Sequence, residues 1–217
     1  EQADGPINNA TEMGADPQHV VEVLSRIPGY APLFRAAFGD AAIRYERVLQ
    51  AISTFERTIV SGNSPWDRYQ AGDANALSAE AKAGANIFFG KGRCAECHSG
   101  FNFTNEQYTN IGVGVDRAPL DEGRSAVTHD IRDFGKFKVP TLREAARTAP
   151  YMHDGRVKAL ENLTAFYNNA ALRNTNRDPR IRALFLQKDE LAQLQAFLEA
   201  LNGEGWQHIQ APEKLPQ

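Results

Sequence analysis

Two thiols and an imidazole fall within five residues in Cys94-Ala95-Glu96-Cys97-His98, and the chain has no other cysteine. Thiols two residues apart stand about one helical turn from each other. That spacing lets both add to the two vinyl groups on one side of a porphyrin, while the adjacent imidazole projects toward the iron as its proximal ligand. The pattern predicts one covalent haem c on Cys94 and Cys97, with His98 on the iron. Two other chemistries use a cysteine pair. A redox dithiol opens a helix after a strand and needs no His, whereas here a helical pattern precedes the pair and a glycine-bearing loop follows it. A zinc site needs two further thiolate or imidazole ligands, and there is no second cysteine pair. Two cysteines also exclude a disulfide scaffold. Attachment of haem c implies assembly outside the cytoplasm.

The second axial position has several candidates: Met13, Met152, His19, His129, His153, His208, Tyr151 and Tyr167. From the residues alone Met152 comes first, because His/Met ligation is common in electron-transfer haems and raises their potential. A methionine also serves simply as core filler. Tyr167 falls on an apolar helical face, where a tyrosine commonly packs in the core with its hydroxyl bonded. Spacing leaves the choice open.

The elements that must position these groups read as mainly helical. Pro17 opens a helix capped by Asp16, with Val20, Val23, Leu24 and Ile27 in period and Pro28-Gly29 as its stop. Pro32 to Phe38 reads as a short helix, and residues 41–60 as a long amphipathic one through Ile43, Val48, Ile52, Phe55 and Ile59. Leu77 to Phe89, with Ser78 as cap, leads straight into Gly90-Lys91-Gly92 and the cysteines. Residues 99–140 carry seven glycines and prolines and no helical period, which predicts a long irregular segment with two short strands. Short helices follow over Pro140 to Arg147 and Leu160 to Asn168. The terminal helix, Lys188 to Leu201, buries Leu191, Leu194, Phe197, Leu198 and Leu201 and stops at Gly203. The class is a mainly α, class I cytochrome c-like helical domain around a covalent haem, with long irregular loops.

Composition bounds the rest. The 217 residues allow one large domain or two small ones, with 42% hydrophobic and 24% charged residues. The net charge of -3 gives no electrostatic footprint for nucleic acid. Mean hydropathy is -0.47, and no run approaches the ~18–20 apolar residues of a membrane span. The polar opening from Glu1 to Pro6 reads as a processed or cut end.

Four longer stretches carry a resemblance. Ala51-Ile52-Ser53-Thr54-Phe55-Glu56-Arg57-Thr58, Ser64-Pro65-Trp66-Asp67-Arg68-Tyr69, Phe137-Lys138-Val139-Pro140-Thr141-Leu142-Arg143 and Thr148-Ala149-Pro150-Tyr151-Met152-His153-Asp154-Gly155 resemble the di-haem cytochrome c peroxidase and MauG superfamily. The likeness runs from about Pro6 to Gly203. Members have two haem c domains, and this chain resembles the second, C-terminal one with the segment that leads into it. The first Cys-x-x-Cys-His is absent, so the resemblance implies either a C-terminal fragment or a separate chain that supplies the first haem. On this reading residues 1–40 link to and cap that first haem domain, residues 41–203 form the haem c domain and 204–217 a C-terminal tail.

The resemblance also implies roles. Asn9-Ala10-Thr11-Glu12-Met13-Gly14 is similar to the strip that closes over the peroxidatic haem, with Glu12 as the acid-base group and Gln2 and Pro6 in the same distal pocket. Heterolysis of an O–O bond needs a proton moved between its oxygens, which a carboxyl within hydrogen-bond reach can do. In Leu160-Glu161-Asn162-Leu163-Thr164-Ala165-Phe166-Tyr167, Tyr167 takes the axial-ligand position, where MauG-type enzymes have Tyr and the peroxidases Met; Met152 then becomes a neighbour in the loop. Thr148 and Pro150 match positions whose backbone carbonyls bind calcium.

The implied activity is oxidation of a protein or small substrate by hydrogen peroxide, through high-valent haem and electron hopping, in the bacterial periplasm. The implied partners are the first haem domain or chain and a protein substrate or electron-donor redox protein. Trp66 and Trp206 are candidate hopping sites, although each suits a packing role. A peroxide-detoxifying cytochrome c peroxidase and a mono-haem electron carrier are the alternatives. A carrier has no need of a strip bearing Glu12 and Gln2.

Overall fold

The computed structural model describes residues 2–114, 116 and 118–217. By contact it divides into two units, Glu1–Val60 with Gly205–Gln217, and Ser61–Glu204. Helix is the dominant element in both.

The first unit holds α1 (Gly5–Asn8), α2 (Pro17–Ser25), α3 (Tyr30–Phe38) and α4 (Tyr45–Glu56). Asp16 caps α2 as its sequence predicts, its carboxylate accepting from the amides of Gln18 and His19 at 2.8 and 3.0 Å. Helix α2 ends at Ser25, and Gly29 instead occupies the cap position that opens α3. The α1 turn lies in a stretch without apolar periodicity; Pro6 supplies its preset φ at the first turn. The tyrosine hydroxyl of Tyr45 donates to Asp4 at 2.8 Å, and the Gly29 amide donates to the carbonyl of Gln217 at 2.9 Å. Helix α4 packs with α2, and by contact residues 205–217 group with this unit. Phe34, Ile7 and Ala3 are its buried apolar residues, while Phe55, Ile59 and Val60 stay more than half exposed.

The second unit holds α5 (Pro65–Gln70), α6 (Ala79–Phe89), β1 (Tyr108–Thr109), α7 (Ser125–Thr128), β2 (Phe137–Lys138), α8 (Leu160–Asn168) and α9 (Lys188–Glu199). Its core sits between α6 and α9: Phe88, Phe103, Phe197, Leu198 and Leu201 are buried, and Trp66 packs edge-on to Phe197 at 5.1 Å. The two strands pair antiparallel, Tyr108 opposite Lys138 and Thr109 opposite Phe137, and pin the irregular 99–140 segment at its two ends.

Helix α5 has no counterpart in the sequence reading, and two further elements differ from theirs. Helix α5 begins at a capping box, with the Ser64 hydroxyl accepting from the Asp67 amide and the Asp67 carboxylate accepting from the Ser64 amide. Residues 140–147 form no α-helix: Glu144 is left-handed at φ 61°, which breaks it and leaves a 3-10 turn at Ala145–Arg147. Helix α9 ends at Glu199, and Gly203 serves a close approach instead of a stop. A Cβ there would stand 2.4 Å from the carbonyl oxygen of Gly62, beside the bridge of Gly62 to Glu204.

Candidate haem site

Helix α6 runs into the motif through a turn that only glycine permits at Gly92, where a Cβ would lie 2.7 Å from the carbonyl oxygen of Ile87. Arg93 is left-handed, and Cys94–Glu96 then form a 3-10 turn. The amides of Cys97 and His98 both donate to the carbonyl of Cys94, at 3.2 and 2.8 Å. One short turn therefore presents both thiols and the imidazole.

The turn is clamped from outside. Arg93 pairs with Glu96 at 2.9 Å and donates to the carbonyl of Arg180 at 3.3 Å. Arg180 donates back to the carbonyl of Glu96 at 3.3 Å, and Asp178 holds Arg180 through two side-chain bonds of 2.9 and 2.7 Å.

Nδ1 of His98 lies 3.0 Å from the carbonyl oxygen of Phe103. A carbonyl only accepts, so Nδ1 carries the proton and Nε2 keeps its lone pair for a metal. Burial lowers the imidazole's pKa below its ordinary value, against the pull of the Phe103 and Pro140 carbonyls, so the ring is held neutral as an iron ligand must be. Phe103 is left-handed and 3% exposed, which fixes the acceptor.

Burial pushes the Cys94 thiol up to about 12 and raises that of Cys97 as well. A reactive dithiol needs a depressed thiol pKa, so this environment opposes the redox-dithiol reading. The buried hydroxyl of Thr109 meets the Cys97 thiol, an interaction that works against the rise in the thiol's pKa. Tyr167, on α8, has a hydroxyl whose pKa is raised first by burial and then by the nearby thiols of Cys94 and Cys97. The structure thus brings Tyr167 to the cysteine pair. Met152 lies at φ 70° in the turn closed by the Tyr151 amide donating to the Val157 carbonyl at 2.7 Å.

These groups fit a haem. Two sulfurs on one turn, a neutral imidazole with Nε2 available and an aromatic core match its covalent, axial and apolar demands. No group of three or more His, Cys, Asp or Glu side chains among the described residues is arranged to hold a metal ion directly.

The remaining sequence candidates lie elsewhere. Glu12 is exposed and accepts from the Asn9 side chain at 2.9 Å; Gln2 is exposed and Pro6 half-buried, all in the first unit. Thr148 and Pro150 are exposed on the turn after Ala145–Arg147.

A feature the sequence reading assigned no role stands beside His98. A cavity of about 530 Å³ is lined by His98, Phe103, Trp66, Phe89, Asp67 and Arg143, among others. Arg143, 8% exposed, meets Asp67 through two 2.9 Å bonds and donates from Nε to the carbonyl of Phe101 at 3.0 Å. Both residues lie in stretches that carry the family resemblance, but no charge pattern along the chain links positions so far apart.

A family model described as di-haem cytochrome c peroxidase matches residues 1–75. The methylamine utilization protein MauG of Methylophilus methylotrophus is 37% identical over 214 residues, 98% of this chain and 63% of that protein. The chain is similar to the di-haem cytochrome c peroxidase and MauG family over nearly its whole length. The cytochrome c551 peroxidase of Pseudomonas aeruginosa is also 37% identical, over 94% of this chain and 58% of its own length. Among solved structures, a MauG-like protein associated with microbial copper homeostasis superposes with a TM-score of 0.84 at 29% identity, covering 94% of this chain and 68% of that one. The diheme peroxidase BthA from Burkholderia thailandensis, 21% identical with a TM-score of 0.74 over 95% of this chain and 64% of its own, shares the fold. The chain spans about three-fifths of the length of the curated relatives it matches. Likeness to this family implies haem c. No helix among the described residues is long and apolar enough to cross a membrane.

Proposed function

We propose that this chain is the second, C-terminal haem c part of a MauG-like di-haem enzyme, which uses hydrogen peroxide to oxidise a protein or small substrate in the periplasm. The observation that carries this reading is the buried hydroxyl of Tyr167 beside Cys94 and Cys97. A haem bound there supplies reversible one-electron iron chemistry. Cys94 and Cys97 would hold it covalently, and His98, oriented by the Phe103 carbonyl, would ligate its iron. Tyr167 offers a hard oxygen ligand from α8, which favours the more oxidised iron and sets this site apart from a His/Met electron carrier.

Peroxide takes up two electrons and two protons to leave as two waters, so the enzyme must draw two electrons from its substrate and move protons at the oxygen–oxygen bond. Glu12, through its carboxylate oxygens, is the group we assign to that proton transfer, with Gln2 and Pro6 beside it over a first haem carried by another domain or chain. For calcium, the carbonyls of Thr148 and Pro150 are hard donors of the right kind. The ion takes six to eight oxygens, so these two supply only part of a site and the rest must come from water or the first haem domain.

The test is the haem-to-polypeptide ratio by pyridine haemochrome, with an intact mass of each chain in the purified assembly. The expected result is one haem covalently on this chain and a second on the first domain. An apo mass with two free thiols would overturn the reading. A peroxidase or carrier is the outcome if Met152, and not Tyr167, ligates the iron.

A further inference from the structure

We propose that Asp67 and Arg143 form a charge-compensated pair that positions His98 and sets the reduction potential of the iron it holds. The inference rests on the reading that His98 ligates a haem iron. Among the described residues Arg143 is the one charged residue that is buried, and it shares the walls of one cavity with His98.

Its placement is fixed from every side. Nη1 and Nη2 reach the two carboxylate oxygens of Asp67 at 2.9 Å each. Nε donates to the carbonyl of Phe101 at 3.0 Å. The guanidinium lies 3.9 Å over the Phe101 ring and 5.8 Å from the centre of the Phe103 ring. Phe103 is the residue whose carbonyl holds Nδ1 of His98. Arg143 therefore braces the 101–103 loop that orients the axial imidazole.

Asp67 is equally fixed. Its Oδ2 also accepts from the Ser64 amide at 2.9 Å, in the capping box that begins α5. The carboxylate cannot swing away from Arg143 without opening that cap. The pair is thus a rigid dipole on the cavity wall, with Arg143 buried and Asp67 half-buried, so its field is screened less than that of an exposed pair. A bidentate arginine–carboxylate pair has the geometry to hold such a position.

The electrostatic consequence has a sign. A ferric haem carries one more positive charge than a ferrous one. An uncompensated Arg143 cation beside His98 disfavours the ferric state and raises the potential; an uncompensated Asp67 carboxylate lowers it. With both present the two effects offset.

The experiment is potentiometric titration of the haem of this chain in the complete holoenzyme, with the ferric electron paramagnetic resonance spectrum recorded beside it. Asp67→Asn should raise the midpoint and Arg143→Gln should lower it, each by a three- to tenfold change in the ferric-to-ferrous ratio at the parent midpoint, up to about 59 mV for one electron. The double variant should return toward the parent. Arg143→Lys should restore part of the potential that Arg143→Gln loses. Shifts of the same sign in the two single variants, or no shift, would overturn the proposal, because loss of packing alone has no reason to reverse sign. If Arg143→Gln does not fold, Asp67→Asn decides: a raised midpoint supports the pair, and an unchanged or lowered one overturns it. Absence of covalent haem in the parent, read by pyridine haemochrome before any titration, overturns the underlying reading and the proposal with it. Haem present with unmoved potentials overturns the proposal alone.

Discussion

Gly84 and Gln193 mark the point where α6 and α9 come closest: a Cβ on Gly84 would stand 1.9 Å from the carbonyl oxygen of Gln193 and 2.9 Å from the Cβ of Phe197. The contact is backbone on one side, so no side chain can yield. This crossing carries the core of the second unit and aims the end of α6 at the cysteine turn.

Gly84→Ala should therefore be strongly destabilising, even though alanine favours helix over glycine by about 1 kcal/mol. The expected loss is about 1–3 kcal/mol or more, the scale of an overpacked core. Chemical unfolding of the holo protein would measure it. A variant as stable as the parent would mean that the helices part without cost. Alanine at exposed Gly72, where no atom lies within 4 Å of the added carbon, separates the effects: its strain comes from the positive φ alone.

A second expectation concerns acid. The carboxylate of Asp178 is held below its usual range, first by the side-chain bonds of Arg180. Its folded pKa is depressed, so its contribution is present above the unfolded value near 3.8 and is lost as pH falls below it. Asp178→Asn should flatten the acid limb of a stability-against-pH curve below about pH 4. At neutral pH it should cost roughly 1–3 kcal/mol, the scale of hydrogen bonds to a charged partner. Parallel acid limbs in parent and variant would show that the clamp on the cysteine turn does not depend on this charge.

How much of this was legible in the sequence depends on range. The caps of α2 and α6 were readable because Asp16 and Ser78 act within three residues of themselves. The stripe of α9 was readable because Leu194, Phe197, Leu198 and Leu201 keep helical period, and all four are buried. The break at Glu144 was not: a left-handed glutamate has no composition signal, and its carboxylate is drawn in by Ser61, Gly203 and Arg147, two of which lie far along the chain. The capping box of Ser64 and Asp67 was visible in principle, because its two partners lie three residues apart. The cysteine turn announced itself completely. Its bracing by Arg180 did not, because Arg180 meets Arg93 and Glu96 across more than eighty residues of chain.

A third prediction follows from assigning proton transfer to Glu12. Glu12→Gln keeps the shape and the bond from Asn9, and removes the proton-transfer group. In the complete assembly the reaction with peroxide should slow by ~10²-fold or more, within the usual range for a general acid-base, while the spectrum of the haem on this chain stays as in the parent. Stopped-flow mixing with peroxide measures both. An unchanged rate would return Glu12 to the role of an exposed loop residue.

The last prediction decides the axial ligand. Tyr167 and Met152 are both half-buried, and each carries an atom that iron accepts as a ligand. Burial raises the phenol's pKa in the absence of metal, so a coordinated phenolate would have to gain from iron what it loses from the protein. That gain makes the ferric state harder to reduce, and its loss is visible without an activity assay. Tyr167→Phe removes one oxygen and keeps the ring, so α8 should pack nearly unchanged. The expected result is an altered ferric spectrum and an easier reduction. Met152→Leu is close to volume-conserving and should change neither. The reverse pattern, a spectrum moved by Met152→Leu and untouched by Tyr167→Phe, would assign His/Met ligation and place the chain with the peroxidases or carriers.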